Sequence, residues 1–252
     1  MSTDCSPAYA SSLKWDAVRG EPYLQLPSFP DLRLIPYREG IAGDLVTLFN
    51  HPPVGCRLFA LPMSRVFADQ LESDILAKQA PILEELEKLE ELSKGTDGIG
   101  AVWPFKALWS EKQSRVVGDI FLWPNTVEPI WDDARQGRYE AGQVTEKGSI
   151  TEESVVSLPP AEQSWMIGYV LEPELYGQGI MSETLKCILQ GWVKLIMGVG
   201  EVAAVIAVDN LGSKAVAEKN GFTYRREEAT QWPEEKGGGV RVHGYYTWQS
   251  ST

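Results

Sequence analysis

The sequence predicts a single α/β domain built around a mixed sheet. The chain has 252 residues, a length that suits one large domain, and 43% of them are hydrophobic, as in a protein with a substantial core. Strand-like and helix-like segments alternate from Leu32 to Trp248 without an internal repeat. Such alternation is typical of helices packed against a sheet that contains parallel neighbours.

The first elements are short. Residues 1–30 are punctuated by serine and proline and are interpreted as an N-terminal arm that precedes a domain spanning 31–252. Leu32 to Pro36 alternates imperfectly and predicts the first strand. A short helix is expected from Gly43 to Asn50, because the prolines that follow His51 disfavour helical backbone before them.

The middle of the chain combines a helix, a hairpin and an insertion. Phe67 to Lys94 has isoleucine and leucine at helical spacing, with Pro81 marking a kink or a second start. Val102–Trp109 and Val116–Trp123 read as two strands joined by a hairpin loop. Residues 124–163 are acidic and poor in aliphatic side chains, so we interpret them as an insertion that is either partly disordered or a lid over a site.

The last third of the chain alternates regularly. An apolar strand ending at Leu171 precedes an amphipathic helix from Met181 to Met197, which the glycine at 198 ends. Val202–Val208 is continuously apolar, as expected of a strand that is covered on both faces. The remaining predicted elements are a short helix, Ser213–Asn220, and two terminal strands, Thr223–Glu228 and Val240–Trp248.

Composition excludes several classes of function. The net charge of -12 argues against nucleic acid, whose binding requires clustered Lys and Arg, and it suits either cationic ligands or simple solubility. The cysteines, Cys5, Cys56 and Cys187, have no paired or metal-ligand spacing, so we expect no disulfide framework, no metal and a reducing cytoplasmic compartment. We also expect no signal peptide and no membrane contact, since no apolar run approaches the roughly 20 residues of a membrane span.

A glycine loop is the most informative local feature. After the strand that ends at Leu171, a turn containing Pro173 leads into Gly177-Gln178-Gly179 and then into the helix. This order leaves free N–H groups and the positive end of a helix dipole where a phosphate can bind. A dinucleotide fingerprint needs a third glycine where Ser182 stands, and the Gly-Lys-Ser/Thr of a nucleoside-triphosphate loop is missing from the chain.

A second segment follows the next strand and reads Asp209-Asn210-Leu-Gly-Ser213-Lys-Ala-Val-Ala-Glu-Lys-Asn-Gly221-Phe222. Together the two segments resemble the GNAT superfamily of acyl-CoA-dependent N-acyltransferases. The glycine loop is similar to the family's pyrophosphate loop, and the second segment to its N-x-x-S/A…E-K-x-G-F motif. The pattern is most similar to the branch that acetylates ribosomal-protein N-termini and to its small-molecule relatives, and the strong part covers residues 167–222.

The resemblance implies a fold and a cofactor. The fold is α/β, with a mixed, mostly antiparallel sheet that splays between its fourth and fifth strands and helices on both faces. Acetyl-CoA is the implied cosubstrate, its pantetheine arm lying between Trp165–Leu171 and Val202–Val208 like an added strand. Asn210 either reaches this arm or caps the following helix. The implied cofactor-binding residues are Leu171, Tyr176, Gly177, Gln178, Gly179, Ile180, Met181, Ser182 and Asn210.

The implied reaction is direct attack of a primary amine on the thioester in a ternary complex. It requires a neutral amine and protonation of the departing thiolate. Many family members carry an acid tyrosine where this chain has Ala217, so Ser213 becomes the replacement candidate, unless its hydroxyl only serves the start of the helix. The strand also lacks the carboxylate that many members use as a base. Glu162 and Glu172 flank that strand, and we take Glu172 as the catalytic candidate.

The sequence therefore predicts an acetyl-CoA-dependent N-acetyltransferase that is a monomer or a homodimer. Its acceptor is the amine of a small molecule or of a protein N-terminus, and Tyr245 and His243 on the terminal strand are candidates for lining the acceptor cleft. The alternative is a catalytically degenerate module that binds CoA for regulation. Transfer to an amine distinguishes the two.

Overall fold

Nine strands form one sheet in the computed structural model, which describes residues 12–58, 73, 103–126, 151–232, 234 and 237–250. Their spatial order is β1-β2-β3-β4-β5-β6-β7-β9-β8. Every neighbouring pair is antiparallel except β6 and β7, which are parallel, so the predicted mixed, mostly antiparallel sheet is confirmed. The strands are β1 Leu13–Asp16, β2 Glu21–Gln25, β3 Leu32–Pro36, β4 Phe105–Ser110, β5 Arg115–Pro124, β6 Ser164–Leu171, β7 Glu201–Ala207, β8 Thr223–Gln231 and β9 Val240–Gln249.

The first two strands correct the interpretation of residues 1–30 as an arm. β1 and β2 form an antiparallel hairpin, and β2 pairs with β3, so both strands extend the sheet. Leu24 and Leu26 are fully buried in the main core. The sequence conceals this hairpin because β2 has only five residues and includes Pro22, which weakens the strand pattern.

The described residues contain five α-helices. They are α1 Ala42–Asn50, α2 Pro52–Gly55, α3 Glu152–Val156, α4 Ile180–Lys186 and α5 Leu211–Lys219, and α4 continues without a break into a π-helical segment, Cys187–Met197. The helix expected over 67–94, apart from residue 73, and most of the acidic insertion, 127–150, lie outside the described residues. No helix in the described part is both long and apolar enough to cross a bilayer.

Helices cover both faces of the sheet, as the resemblance implies. On one face, α4 and its π-helical continuation bury the largest core cluster, where Phe105 and Trp192 meet edge to face with centroids 4.8 Å apart. Ala217 of α5 and Phe222 belong to the same cluster. On the other face, α1 packs through Leu45, Leu48 and Phe49 against a second cluster.

The parallel pair β6–β7 opens into a gap, which we call the splay. These strands pair only from Ser164–Met166 to Glu201–Ala203, whereas β6 stays paired with β5 as far as Leu171, and β7 with β9 as far as Ala207. The splay therefore lies between the ends of β6 and β7, whose outer edges stay hydrogen-bonded to β5 and β9. Counted from β3, these are the fourth and fifth strands, as predicted.

A buried polar network holds the closed end of the splay. Ser164 Oγ donates to Glu201 at 2.6 Å, and Asn125 Nδ2 donates to Ser164 Oγ and to Tyr245 Oη, both at 3.0 Å. Gln249 Nε2 also donates to Glu201, at 2.6 Å. Because these groups are satisfied by one another, the two strands are fixed where they pair and diverge beyond that point.

Candidate active site

The glycine loop has the backbone that its sequence predicts. Gly177 and Gly179 have φ values of 74° and 81°, in the left-handed region that side chains disfavour. No heavy atom lies within 4 Å of the position that a Cβ would take at either residue. The loop thus exposes bare backbone next to open space, which allows a ligand to approach closely.

The N–H groups of this loop are free. Tyr176 N donates to Pro173 O at 3.1 Å, and Glu183 N donates to Gly179 O at 3.0 Å. Between these two bonds, the N–H groups of residues 177–182 make no hydrogen bond within the described chain. They precede and begin α4, so the helix dipole adds partial positive charge at the same place. This arrangement suits a phosphate or diphosphate.

Asn210 caps α5, which was one of its two predicted roles. Its Oδ1 accepts a hydrogen bond from Ser213 N at 3.2 Å. Its Nδ2 makes no hydrogen bond in the part of the chain described, so the amide still has donors to offer. The capping contact therefore fixes the side chain at the open end of the splay without using its N–H groups.

Ser213 lies in the first turn of α5, and the sequence analysis did not identify its partner, Tyr169. The phenol of Tyr169, on β6 beyond the paired stretch, donates to Ser213 O at 3.0 Å and so links β6 to α5 across the splay. Burial raises the pKa of Tyr169, which keeps the phenol protonated. The Ser213 hydroxyl makes no hydrogen bond within the described residues. The sequence contained a signal for this contact, because a tyrosine in a buried strand needs a hydrogen-bond partner for its hydroxyl.

Glu172 is engaged in an ion pair. It is 9% exposed, and the guanidinium of Arg115 at the start of β5 donates to both carboxylate oxygens, with Nη2 2.7 Å from Oε2. This hydrogen bonding raises the pKa of Arg115. Glu172 N also donates to Val117 O at 2.9 Å. The other flanking carboxylate, Glu162, ends a short 3-10 helix, Pro160–Glu162, next to the closed end of the splay.

A buried carboxyl on β5 was missed by the sequence analysis. Asp119 has no exposed surface, and its two oxygens accept from the hydroxyl of Tyr37 at 2.9 and 2.8 Å. Burial raises the pKa of Asp119 from 3.8 to about 7. Its place opposite Val170 puts it one strand away from the splay. An isolated aspartate in the apolar run of β5 was the available signal.

The two aromatic candidates on β9 differ in position. Tyr245 belongs to the closed end, where its hydroxyl accepts from Asn125. His243 lies opposite Ala207, the last residue of β7, and therefore at the open end. Of the predicted site residues, the loop follows the end of β6, and Asn210 and Ser213 follow the end of β7, so all of them lie on the open side of the splay, whereas the Glu172 carboxylate is bound to Arg115.

Comparisons with known proteins agree with the motifs. Residues 123–223 match the family model described as "Acetyltransferase (GNAT) domain", which confirms the resemblance over this stretch. A search of curated proteins finds no match.

Solved structures share the fold. The ribosomal-protein-S5-alanine acetyltransferase from Vibrio fischeri has a TM-score of 0.54 at 14% identity, with 88% of this chain and 94% of that chain covered. A ribosomal L7/L12 α-N-protein acetyltransferase has a TM-score of 0.54 at 17% identity, with coverages of 94% and 99%. Spermidine N-acetyltransferase from Vibrio cholerae has a TM-score of 0.51 at 12% identity, with coverages of 87% and 96%. At these identities the likeness concerns the fold.

Proposed function

We propose that this chain, which has the GNAT fold, is an acetyl-CoA-dependent N-acetyltransferase acting on a primary amine. The observation that carries the proposal is the adjacency of the free N–H groups of residues 177–182 and the splay between β6 and β7. The N–H groups provide a diphosphate site, and the splay provides a slot between two strand edges that are not paired with each other. A ligand with a diphosphate and an extended amide-containing arm matches both features.

The described residues suit acetyl-CoA in this orientation. The diphosphate would accept hydrogen bonds from the glycine loop, and the pantetheine amides would pair with the inner edges of β6 and β7. Asn210 Nδ2 is available to a pantetheine carbonyl. In support, the V. cholerae spermidine N-acetyltransferase is bound to CoA and spermine, and a putative acetyltransferase from Salmonella typhimurium, with a TM-score of 0.51, is bound to acetyl-CoA.

The chemistry that follows is direct transfer. Holding the amine beside the thioester supplies much of the rate, because the reaction becomes effectively unimolecular. The amine nitrogen bonds to the carbonyl carbon, the C–S bond breaks, and the thiolate takes up a proton. Ser213 is the proposed source of that proton, since its hydroxyl makes no hydrogen bond to any described residue and lies at the first turn of α5.

For Glu172 the contacts support a positioning role better than a base. A general base needs an available lone pair near the amine. Both oxygens of Glu172 accept from Arg115, which joins the end of β6 to the start of β5. We therefore propose that this pair fixes the strand from which the glycine loop departs.

The proposal is tested by binding and by turnover of the purified chain. Saturation with CoA at about 100 times Kd stabilises a binding protein by about 2.7 kcal/mol, so a thermal-shift assay is sensitive. With acetyl-CoA and a panel of polyamines and peptides, we expect release of free thiol that depends on the amine. Binding without transfer to any amine favours the regulatory module instead. Failure to bind CoA refutes both functions.

A further inference from the structure

The two faces of the splay differ in what covers them. On the face of α4 and α5, Ile167, Ala204 and Ile206 belong to the main core, so this face is filled. On the opposite face, which we call the open face, Val205 of β7 is 41% exposed. An amine that attacks a thioester held in the splay therefore approaches from the open face.

Gly168 is the first position of β6 beyond the paired stretch that belongs to the open face. Met166 lies on this face where β6 is last paired with β7, opposite Ala203, and the side chains of a strand alternate. The same register, continued along both strands, brings Val205 opposite Gly168, where the strands are no longer paired. An arm that enters from the glycine loop and extends toward the closed end carries its thioester to this inner part of the splay.

Two aromatic rings flank the side-chain position of Gly168. Phe121 and Trp123 of β5 are paired with Gly168 and Met166, and paired residues of antiparallel strands project to the same face. A Cβ at Gly168 would lie 3.6 Å from Phe121 Cδ2 and 3.6 and 3.7 Å from Trp123 Cζ3 and Cη2, which is ordinary van der Waals contact. One carbon atom therefore fits at this position in contact with both rings, and we call the position the notch.

The two rings differ in mobility and in exposure. Phe121 stacks on Phe49 of α1, with ring centroids 6.0 Å apart and an interplanar angle of 28°, so this side of the notch is fixed by the helix. Trp123 is 37% exposed, although it is a large hydrophobic side chain in a central strand of the sheet. Its indole therefore offers apolar surface to a molecule whose first carbon lies in the notch.

The surroundings of the notch are uncharged in the part of the chain that the structure describes. The side chains next to Gly168 on the open face are all apolar or aromatic: Phe121, Trp123, Met166 and Val205. The carboxyl of Asp119 is diagonal to Gly168 on β5, but it is fully buried and accepts from the Tyr37 hydroxyl. A second ammonium group would find no available carboxylate among these neighbours, so the notch suits an apolar carbon chain.

We propose that the notch binds the carbon next to the attacking nitrogen, and that the acceptor is a primary amine on an apolar alkyl or arylalkyl chain. This inference rests on the proposed N-acetyltransferase function and names the acceptor class within it. Gly168 determines specificity because it has no side chain and so admits this carbon. Trp123 determines specificity because its indole packs against the chain that follows. The amine nitrogen then faces the splay from the open face.

The first test fills the notch with a methyl group. Gly168→Ala places a Cβ where the acceptor carbon would lie, at distances that the two rings accept without moving. We expect kcat/KM for butylamine to fall about 10- to 200-fold, the range for one carbon in a hydrophobic pocket, with unchanged CoA affinity in the thermal-shift assay. Gly43→Ala in α1 is the matched control, since a Cβ there meets nothing within 4 Å, and it should keep wild-type turnover.

The second test removes the indole. In the wild-type protein, kcat/KM should rise about threefold for each carbon added from ethylamine to butylamine, because each methylene is buried against Trp123. Trp123→Ala should abolish this rise, and Trp123→Phe should keep part of it. Butylamine should also be a better acceptor than 1,3-diaminopropane, which has the same size but a second ammonium group.

The outcomes separate the two proposals. An unchanged kcat/KM for butylamine in Gly168→Ala, or a rise with chain length that Trp123→Ala keeps, overturns the notch and leaves the transferase function intact. A wild-type protein that acetylates diamines or peptides and not butylamine has the same meaning. A wild-type protein that transfers to no amine overturns both. If Gly168→Ala does not fold, Trp123→Ala decides, because Trp123 is partly exposed.

Discussion

Replacing Asp119 by Asn should abolish a pH dependence of stability that this one carboxyl imposes. Its pKa is about 7 in the folded protein, against 3.8 for an ordinary aspartate. Between these values the folded state retains a proton that the unfolded chain has released, so the free energy of unfolding falls as pH rises. Each pH unit corresponds to about 1.4 kcal/mol, which amounts to about 4 kcal/mol in total.

Urea unfolding at several pH values measures this effect. Between about pH 5 and about pH 8, the wild-type protein should lose roughly 3 kcal/mol that Asp119→Asn retains, because the amide cannot ionise. The Tyr37 hydroxyl can still donate to the amide oxygen at this position. Asp31→Asn removes an exposed carboxylate and is the control. A stability difference between wild type and Asp119→Asn that is the same at every pH would refute the reasoning.

Three further substitutions address the site. Gly179→Ala should weaken CoA binding at least tenfold, about 1.4 kcal/mol, because it places a methyl group over the loop. The control is Gly20→Ala, which has similar left-handed strain in the β1–β2 turn and should leave the affinity unchanged in a CoA titration. Ser213→Ala should lower kcat about tenfold with unchanged CoA affinity, and undiminished thiol release would remove Ser213 from the mechanism. Glu172→Gln should cost about 1–3 kcal/mol in urea unfolding, as should Arg115→Gln, without changing the shape of the pH–rate profile. Loss of a limb of that profile in Glu172→Gln alone would restore Glu172 as the base.

Elements with strong local patterns were predictable from the sequence. The apolar stripe of α4 and its continuation, and the closing glycine at 198, gave that helix its correct end at Met197. Strand β7 was evident from its continuous apolar run, but the expected cover on both faces holds only as far as Ala204, since Val205 is 41% exposed. The β1–β2 hairpin was not predictable, because one of its strands contains a proline and both, with only four and five residues, are too short for an alternation of apolar and polar residues to be recognised. Local periodicity reports burial and not the order of strands, so the splay came from the resemblance alone.

The site residues also fall into those that the sequence predicted and those that it did not. The glycine loop was predictable because its function depends on consecutive residues, two of which need a left-handed backbone. The hydrogen-bond partners of Asp119, Tyr169 and Glu172 were not predictable, because each contact joins residues that are far apart in the chain. Tyr37 and Asp119 are separated by 82 residues and Arg115 and Glu172 by 57. Strand register brings such pairs together, and one sequence does not encode register in any short motif.

The polar network at the closed end of the splay has a consequence for the length of the acyl group. A molecule lying between β6 and β7 can advance only to Met166 and Ala203, where the strands are joined, so this junction acts as a depth stop. The depth stop determines how far along β6 the thioester of a bound acyl-CoA can lie. The distance between the thioester and the stop then limits the length of the acyl chain. Ser164, Glu201 and Asn125 would touch neither substrate, yet by fixing this stop they would set the choice between a short and a long acyl chain.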